Sequence, residues 1–194
     1  MYLVFDTETT GLPLWKEPSD HPDQPHIVDI AWTLYGADFT EIERFDAIIN
    51  PGEGVIIPDD LAAMHGITTE RAREEGIEPS IVFNKFIDTL EAGMVETFVG
   101  HNVSFDLRMM RIMGARVTGE KWENNLPSFC TMRRTTNMCR ILKAKPRFDT
   151  DWKWPNLGEA TQHFFNEPHV DAHRARPDCD AAARIFIHLK SQEN

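Results

Sequence analysis

Asp6 and Glu8 stand one residue apart in the stretch FDTETTGL, at the end of the first strand-like segment of the chain. Side chains alternate along a strand, so the two carboxylates share a face with little between them. Like charges that close oppose each other's ionisation unless something positive sits between them. Two further stretches carry acids at comparable junctions. VGHNVSFDLRMM puts Asp106 in the first turn of a helix, directly after a strand and a Gly-His-Asn turn. DAHRARPDCDAAARI puts Asp178 at the start of the last helix, with His173 five residues earlier. Side chains leaving such junctions can converge on one point. Singly, each acid has an ordinary role: an acidic turn beside an edge strand for Asp6 and Glu8, and a carboxylate complementing a helix dipole for Asp106 and Asp178. Four acids and a histidine at matching junctions are harder to assign to turns and caps alone. Together they have the makings of a site that gathers positive charge.

These residues need strands and helices to position them, and the sequence supplies both. Tyr2–Asp6 is a strand, and residues 13–26 form a loop punctuated by Pro13, Pro18, Pro22 and Pro25. His26–Tyr35 and Glu41–Asn50, rich in β-branched and aromatic residues, form an antiparallel pair through the turn at Gly36–Asp38. Helical patterning covers 59–65, 68–75 and 80–92, the last with Ser80 as its N-cap. Met94–Gly100 reads as a buried strand, Val103–Gly114 as a helix, and Phe129–Thr131 as a short strand leading into another helix. Pro155–Phe165 and Pro177–Gln192 close the chain as helices, with Pro177 suited to a first turn. A meander followed by alternating strands and helices predicts one mixed α/β domain over residues 1–194, with no repeat and no linker.

The bulk properties narrow the classes. A chain of 194 residues supports one substantial core. No apolar run reaches the roughly 18 residues of a membrane span, and Met1 leads straight into the first strand, so a cytoplasmic location without a signal peptide is expected. Cys130, Cys139 and Cys179 lack metal-binding spacing and read as free thiols. The net charge of −11 argues at first against a nucleic-acid partner. It is unevenly spread: residues 1–60 hold thirteen acids against Lys16 and Arg44. Arg133, Arg134, Arg140, Lys143, Lys145, Arg147 and Lys153 face only Asp149 and Asp151 over their stretch, a candidate phosphate track or else a solvated face.

Asp6-Thr7-Glu8, Asp106 in HNVSFD, and His173 five residues before Asp178 resemble the motifs of the DEDDh exonucleases, in that family's order and over essentially the whole chain. This is the DnaQ-like 3′–5′ exonuclease family, which includes the proofreading subunit of bacterial DNA polymerase III and ribonuclease T. HGIT at His65–Thr68 looks like the family's loop after the third strand. The resemblance implies a ribonuclease-H-like α/β fold: a mixed five-stranded sheet, antiparallel meander then parallel strands, flanked by helices. It implies that Asp6, Glu8, Asp106 and Asp178 bind two Mg²⁺ or Mn²⁺ ions and that His173 is the general base. The chemistry agrees, since phosphodiester hydrolysis needs an activated water and charge stabilisation on both the attacking and leaving oxygens. Hard divalent cations prefer such oxygen ligands.

The implied activity is removal of nucleoside 5′-monophosphates from the 3′ end of nucleic acid, with DNA favoured. An RNA-trimming exoribonuclease and a polymerase-associated proofreading module, in repair or replication, are the alternatives within the family. A catalytically dead binding module would show a broken carboxylate set, and a calcium-binding structural domain would show D-x-D-x-D-G; neither is present. Few residues follow Asp178, so no C-terminal tether to a polymerase is expected. On the substrate side the resemblance points to Thr9, Gly11, Leu12, His65 and Asn102. Leu12 is either a wedge against the last base or a loop residue packed on the core, and Phe105 reads as core. Trp154 in WKWPN offers a base-stacking face or a helix staple. The expected partners are single-stranded DNA with a free 3′ end and, for a homodimer, a second copy of the chain; no membrane is expected.

Overall fold

Ile27–Tyr35 (β2) is buried at every position, a pattern that arises in the interior of a sheet covered on both faces. The computed structural model, which describes residues 1–193, puts it there. β1 (Tyr2–Thr9) and β3 (Glu41–Ile48) flank β2 antiparallel, and β4 (Thr97–Gly100) and β5 (Ser128–Cys130) continue in parallel beyond β1. The sheet order is β3-β2-β1-β4-β5, the mixed five-stranded sheet expected from the sequence.

Seven helices cover it among the described residues: α1 (Asp59–His65), α2 (Thr69–Glu75), α3 (Pro79–Ala92), α4 (Val103–Thr118), α5 (Thr131–Cys139), α6 (Leu157–Phe165) and α7 (Ala175–Ser191). On one face Leu3, Phe5, Trp32 and Phe98 pack against Phe86 of α3 and Met109 of α4. On the other, Val4, Ala31 and Val99 meet Ala160 of α6 and Cys179, Ala182 and Phe186 of α7. Small residues on α7 let it lie close to the sheet, and the Cys179 thiol points at the Val4 carbonyl oxygen at 3.4 Å. The alternation of β1 carries this contact onward. Val4 faces α7, so Asp6 and Glu8 continue that row toward the start of the same helix.

Several boundaries differ from the sequence reading, each for a local reason. The N-cap of α3 is Glu78 rather than Ser80, because Pro79 takes the first helical position, where a missing N–H costs nothing. α4 runs on past Gly114 to Thr118, since Gly114 is where Phe83 and Trp122 pack too closely to admit a Cβ. α6 starts at Leu157, set by a capping box in which Asn156 and Glu159 satisfy each other's backbone amides. α7 starts at Ala175, leaving Pro177 inside its first turn. β4 begins at Thr97, later than Met94. Phe105 is half-buried against the first core rather than fully inside it.

Gly76 sits where the end of α2 meets the chain leaving β3, and a Cβ there would overlap the Ala72 carbonyl oxygen and the Asn50 amide nitrogen, both backbone atoms. Neither can swing aside as a side chain would. Gly76→Ala should therefore destabilise the fold toward the upper end of the about 1–3 kcal/mol typical of overpacking. Urea denaturation measures it; an unchanged midpoint would contradict the close approach.

Candidate active site

The site lies where β1 ends and α4 and α7 begin. Asn102, in the left-handed conformation at φ 77°, turns the chain from β4 into α4; Asn tolerates that region better than most residues. The turn aims Asp106 back at β1. Its Oδ1 accepts hydrogen bonds from the Thr7 backbone N–H at 3.0 Å and the Thr7 hydroxyl at 2.9 Å. One carboxylate is thereby fixed between Asp6 and Glu8 along the strand.

The start of α7 is fixed by an acid that the sequence reading did not single out. Asp29, buried within β2, lies opposite Glu8 in the strand register. Its Oδ2 accepts from Arg174 Nε at 2.8 Å and from the Ala175 amide at 3.3 Å, so it anchors the first turn of α7 through the N-terminal dipole and a charge pair. Asp178 follows one turn later. Its Oδ1 meets His169 Nε2 at 2.5 Å, and its Oδ2 accepts from the His173 amide at 3.3 Å. The approach segment bends through two left-handed residues, Asp171 at φ 55° and His173 at φ 67°. Donor atoms of Glu8, His173 and Asp178 come within 4.8 Å of one another.

Burial dominates the electrostatics. It pushes Asp6 well above the usual carboxylate range, helped by Asp106, Asp178, Glu8 and Asp29. Glu8 is raised to about 8 by burial and then by Asp178, Asp29 and Asp106. Asp106 is raised to about 7 by burial, against the opposing hydrogen bonds from Thr7. Among the described residues, no Lys or Arg forms an ion pair with Asp6, Glu8 or Asp106. The protein alone therefore holds these groups partly protonated near neutrality. Hard oxygen donors, gathered without a counter-charge, fit a divalent cation such as Mg²⁺ or Mn²⁺, which would replace the protons.

The structure thus brings Asp6, Glu8, Asp106, His173 and Asp178 to one end of the sheet. Of the substrate-side residues, Leu12 is 80% exposed, which removes the core-packed alternative. Gly11 and Asn102 are half-exposed. Thr9 is buried, and its hydroxyl donates to the Gly11 carbonyl at 2.8 Å, shaping the turn. His65 is the least accessible of the five, with its Nδ1 accepting from the Ile67 amide at 3.2 Å. Asp29 and His169 were missed by sequence reasoning. An acid inside an otherwise apolar strand was a legible signal for Asp29; His169 lies in an irregular segment whose path no periodicity reveals.

A family model described as "Exonuclease" matches residues 3–186. No curated protein matches the chain in sequence. Solved structures do match in fold. E. coli exonuclease I in complex with a dT13 oligonucleotide superposes with a TM-score of 0.71 at 19% identity, over 97% of this chain and 40% of that one. The same enzyme with a dA16 oligonucleotide gives 0.69 at 19% identity, over 100% and 43%. Its zinc-bound complex with single-stranded DNA gives 0.68 at 19% identity, again over 100% and 43%. The chain spans less than half the length of these neighbours.

A carboxyl whose folded pKa is raised contributes stability below its unfolded value and loses it as pH climbs through the folded value. Glu8 at about 8 and Asp106 at about 7 define that window. His26 and His101, both lowered to about 4 by burial, act oppositely but below their unfolded value of about 6.5. Between about pH 6.5 and about pH 8.5, the Tm of metal-free protein should fall in excess chelator, and less so in Glu8→Gln. A wild-type Tm that rises over that interval would exclude a repelling carboxylate cluster.

Proposed function

The chain belongs to the DnaQ-like 3′–5′ exonuclease family, and we propose that it is a metal-dependent hydrolase that shortens single-stranded DNA from a free 3′ end, releasing nucleoside 5′-monophosphates. The observation that carries this reading is the convergence of four carboxylates, none of them ion-paired to a Lys or Arg among the described residues. In this reading residues 1–194 work as one exonuclease domain. DNA is preferred as the substrate class because the fold's exonuclease I neighbours are complexes with DNA oligonucleotides.

Asp6, Glu8, Asp106 and Asp178 would hold two divalent ions, Mg²⁺ or Mn²⁺. When bound, these supply charge neutralisation at the scissile phosphate and a more acidic water. His173, exposed beside Glu8 and Asp178, accepts the proton of the attacking water on its imidazole. Its reach is set by the left-handed backbone and by the amide bond to Asp178. Asp178 keeps its orientation because His169 and the His173 amide each occupy one of its oxygens. Gly11, with no Cβ, admits the terminal sugar close to the strand end, and Leu12 presses on the last base. Thr9 braces that turn from beneath, and Asn102 would contact the substrate from the turn into α4.

Purified protein with 3′- and 5′-labelled oligonucleotides tests the reading. Mononucleotides should be released stepwise from the 3′ end in Mg²⁺ or Mn²⁺, and EDTA should abolish release; undiminished cleavage in excess EDTA would sink it. Asp6→Ala should lose several orders of magnitude in rate and gain less Tm from Mg²⁺ than wild type does.

His173→Ala should cost about 10²–10⁴-fold and flatten the rise of rate with pH, because a base works only when unprotonated. Mn²⁺ affinity, read by calorimetry, should survive in that variant. Loss of Mn²⁺ binding would instead make His173 a ligand, which its distance from Glu8 and Asp178 also permits.

A further inference from the structure

The basic stretch between α5 and α6 forms an arm with its own internal bracing. Leu142 and Trp152 pair as an antiparallel bridge. The Lys143 amide donates to the Asp151 carbonyl at 3.1 Å, and the Lys153 amide to the Ile141 carbonyl at 2.7 Å. The Asp151 carboxylate closes the loop by accepting from the Arg147 amide at 3.1 Å and by pairing with Lys143 Nζ. Internal pairing uses few of the arm's cations. Lys143 goes to Asp151 and Lys153 to Glu159, while Arg133, Arg140, Lys145 and Arg147 make no ion pair among the described residues.

Two large aromatic faces stand open on the same stretch. Phe148 is 72% exposed and Trp154 61% exposed, so Trp154 is no helix staple. The Arg133 guanidinium lies over the Trp154 ring at 5.9 Å. An isolated apolar residue on a surface is ordinary. Two aromatic faces beside unpaired cations, in a chain of net charge −11, are the pairing that nucleic acid reads: phosphates to the cations, bases to the rings.

The arm's root also joins the active site. Trp154 is followed by Pro155, whose carbonyl accepts from His101 Nε2 at 3.0 Å. His101 Nδ1 pairs with the Thr131 hydroxyl at 2.9 Å, at the start of the helix that carries Arg133. Burial holds the His101 ring neutral. His101 itself is the residue before Asn102, in the turn that aims Asp106. One buried ring thus ties the stacking surface to the turn that supplies a site carboxylate.

We propose that this arm is a binding track for single-stranded nucleic acid, where Trp154 and Phe148 stack unpaired bases and Arg133, Lys145 and Arg147 take the phosphates of the strand leading to the catalytic end. The proposal rests on the exonuclease reading above and deepens it, by making an unpaired strand several nucleotides long the preferred substrate. A paired strand cannot offer its bases to the two rings.

Binding can be read without turnover. Fluorescently labelled DNA and RNA strands of about 12 nucleotides, and a blunt two-strand duplex, are titrated in EDTA while anisotropy is followed across a salt series. Trp154→Ala and Phe148→Ala should each weaken single-strand binding about tenfold or more and leave duplex affinity unmoved. Phe148 is remote from the His101 anchor, so its variant separates stacking from any disturbance of the root. The double variant Lys145→Ala/Arg147→Ala should lower the salt slope by about 1.4, at roughly 0.7 per phosphate contact on a single strand.

Unchanged affinity and slope in all three variants, or no single-strand binding by the wild type, would overturn the track. Equal losses on the duplex would overturn the stacking assignment. A wild type that binds through the arm but degrades nothing in Mg²⁺ would uphold the track and sink the exonuclease reading, so the two failures are distinguishable.

Discussion

Mutual repulsion among closely gathered carboxylates is the constraint around which this fold is arranged. Asp106 is buried, Asp6 and Glu8 are half-buried beside it, and no Lys or Arg pairs directly with any of the three among the described residues, Arg174 acting on Glu8 only from beyond Asp29. A stable protein seldom gathers such groups, because each charge removed from water costs several kcal/mol unless it is paired. The cluster persists because the rest of the structure over-determines it. β1 is hydrogen-bonded on both edges, and the rows above the acids are packed with apolar side chains against α4 on one face and α7 on the other. Stability drawn from the core supports a site that is unfavourable by itself.

Two polar contacts convert that packing into position. Thr7 holds Asp106 through both its amide and its hydroxyl, which joins α4 to the strand at the level of the cluster. Asp29 holds Arg174 and the Ala175 amide, which joins α7 to β2 at the same level. Asp29 is thus a fifth acid at this end of the sheet with a different occupation. It pairs directly with a guanidinium, Arg174, whereas no Lys or Arg pairs with Asp6, Glu8 or Asp106 among the described residues. Chemically identical side chains take different tasks according to what surrounds them.

The charge distribution obeys the same division of labour. Acids dominate the first third of the chain, which contains Asp6, Glu8 and the proline-rich loop, while Arg140, Lys145 and Arg147 stand without ion pairs, among the described residues, on the arm before α6. The loop is not slack. Arg108 of α4 donates to the Ser19 hydroxyl and to the Leu14 and Glu17 carbonyls, and Arg116 donates to the Gln24 and Pro25 carbonyls. Gln24 adds bonds to Leu14 and Pro18 from within. These arginines hold the loop in place, whereas the unpaired cations of the arm remain open to a polyanion.

Residue type and spacing brought Asp6, Glu8, Asp106, His173 and Asp178 forward as a group, the family resemblance they carry implied their roles, and the order of strands and helices was legible in the same way. A strand ending in Asp-x-Glu fixes both side chains on one face by its period of two, and a first-turn helix acid points back toward its N-terminus by its period of 3.6. These are local rules, so the sequence carries them. What only the tertiary structure decided is everything that depends on two distant segments meeting in irregular backbone. Asp29 reads as an odd acid in a strand until Arg174 is found across from it, 145 positions away. His169 has no meaning until the left-handed residues at Asp171 and His173 fold it onto Asp178. Leu12 and Trp154 could each have been buried or exposed on sequence grounds, and only the packing of their neighbours exposed them. Periodicity encodes direction along an element; it does not encode where a loop of mixed composition comes to rest, because that is set by contacts the loop makes only once the sheet and helices are in place.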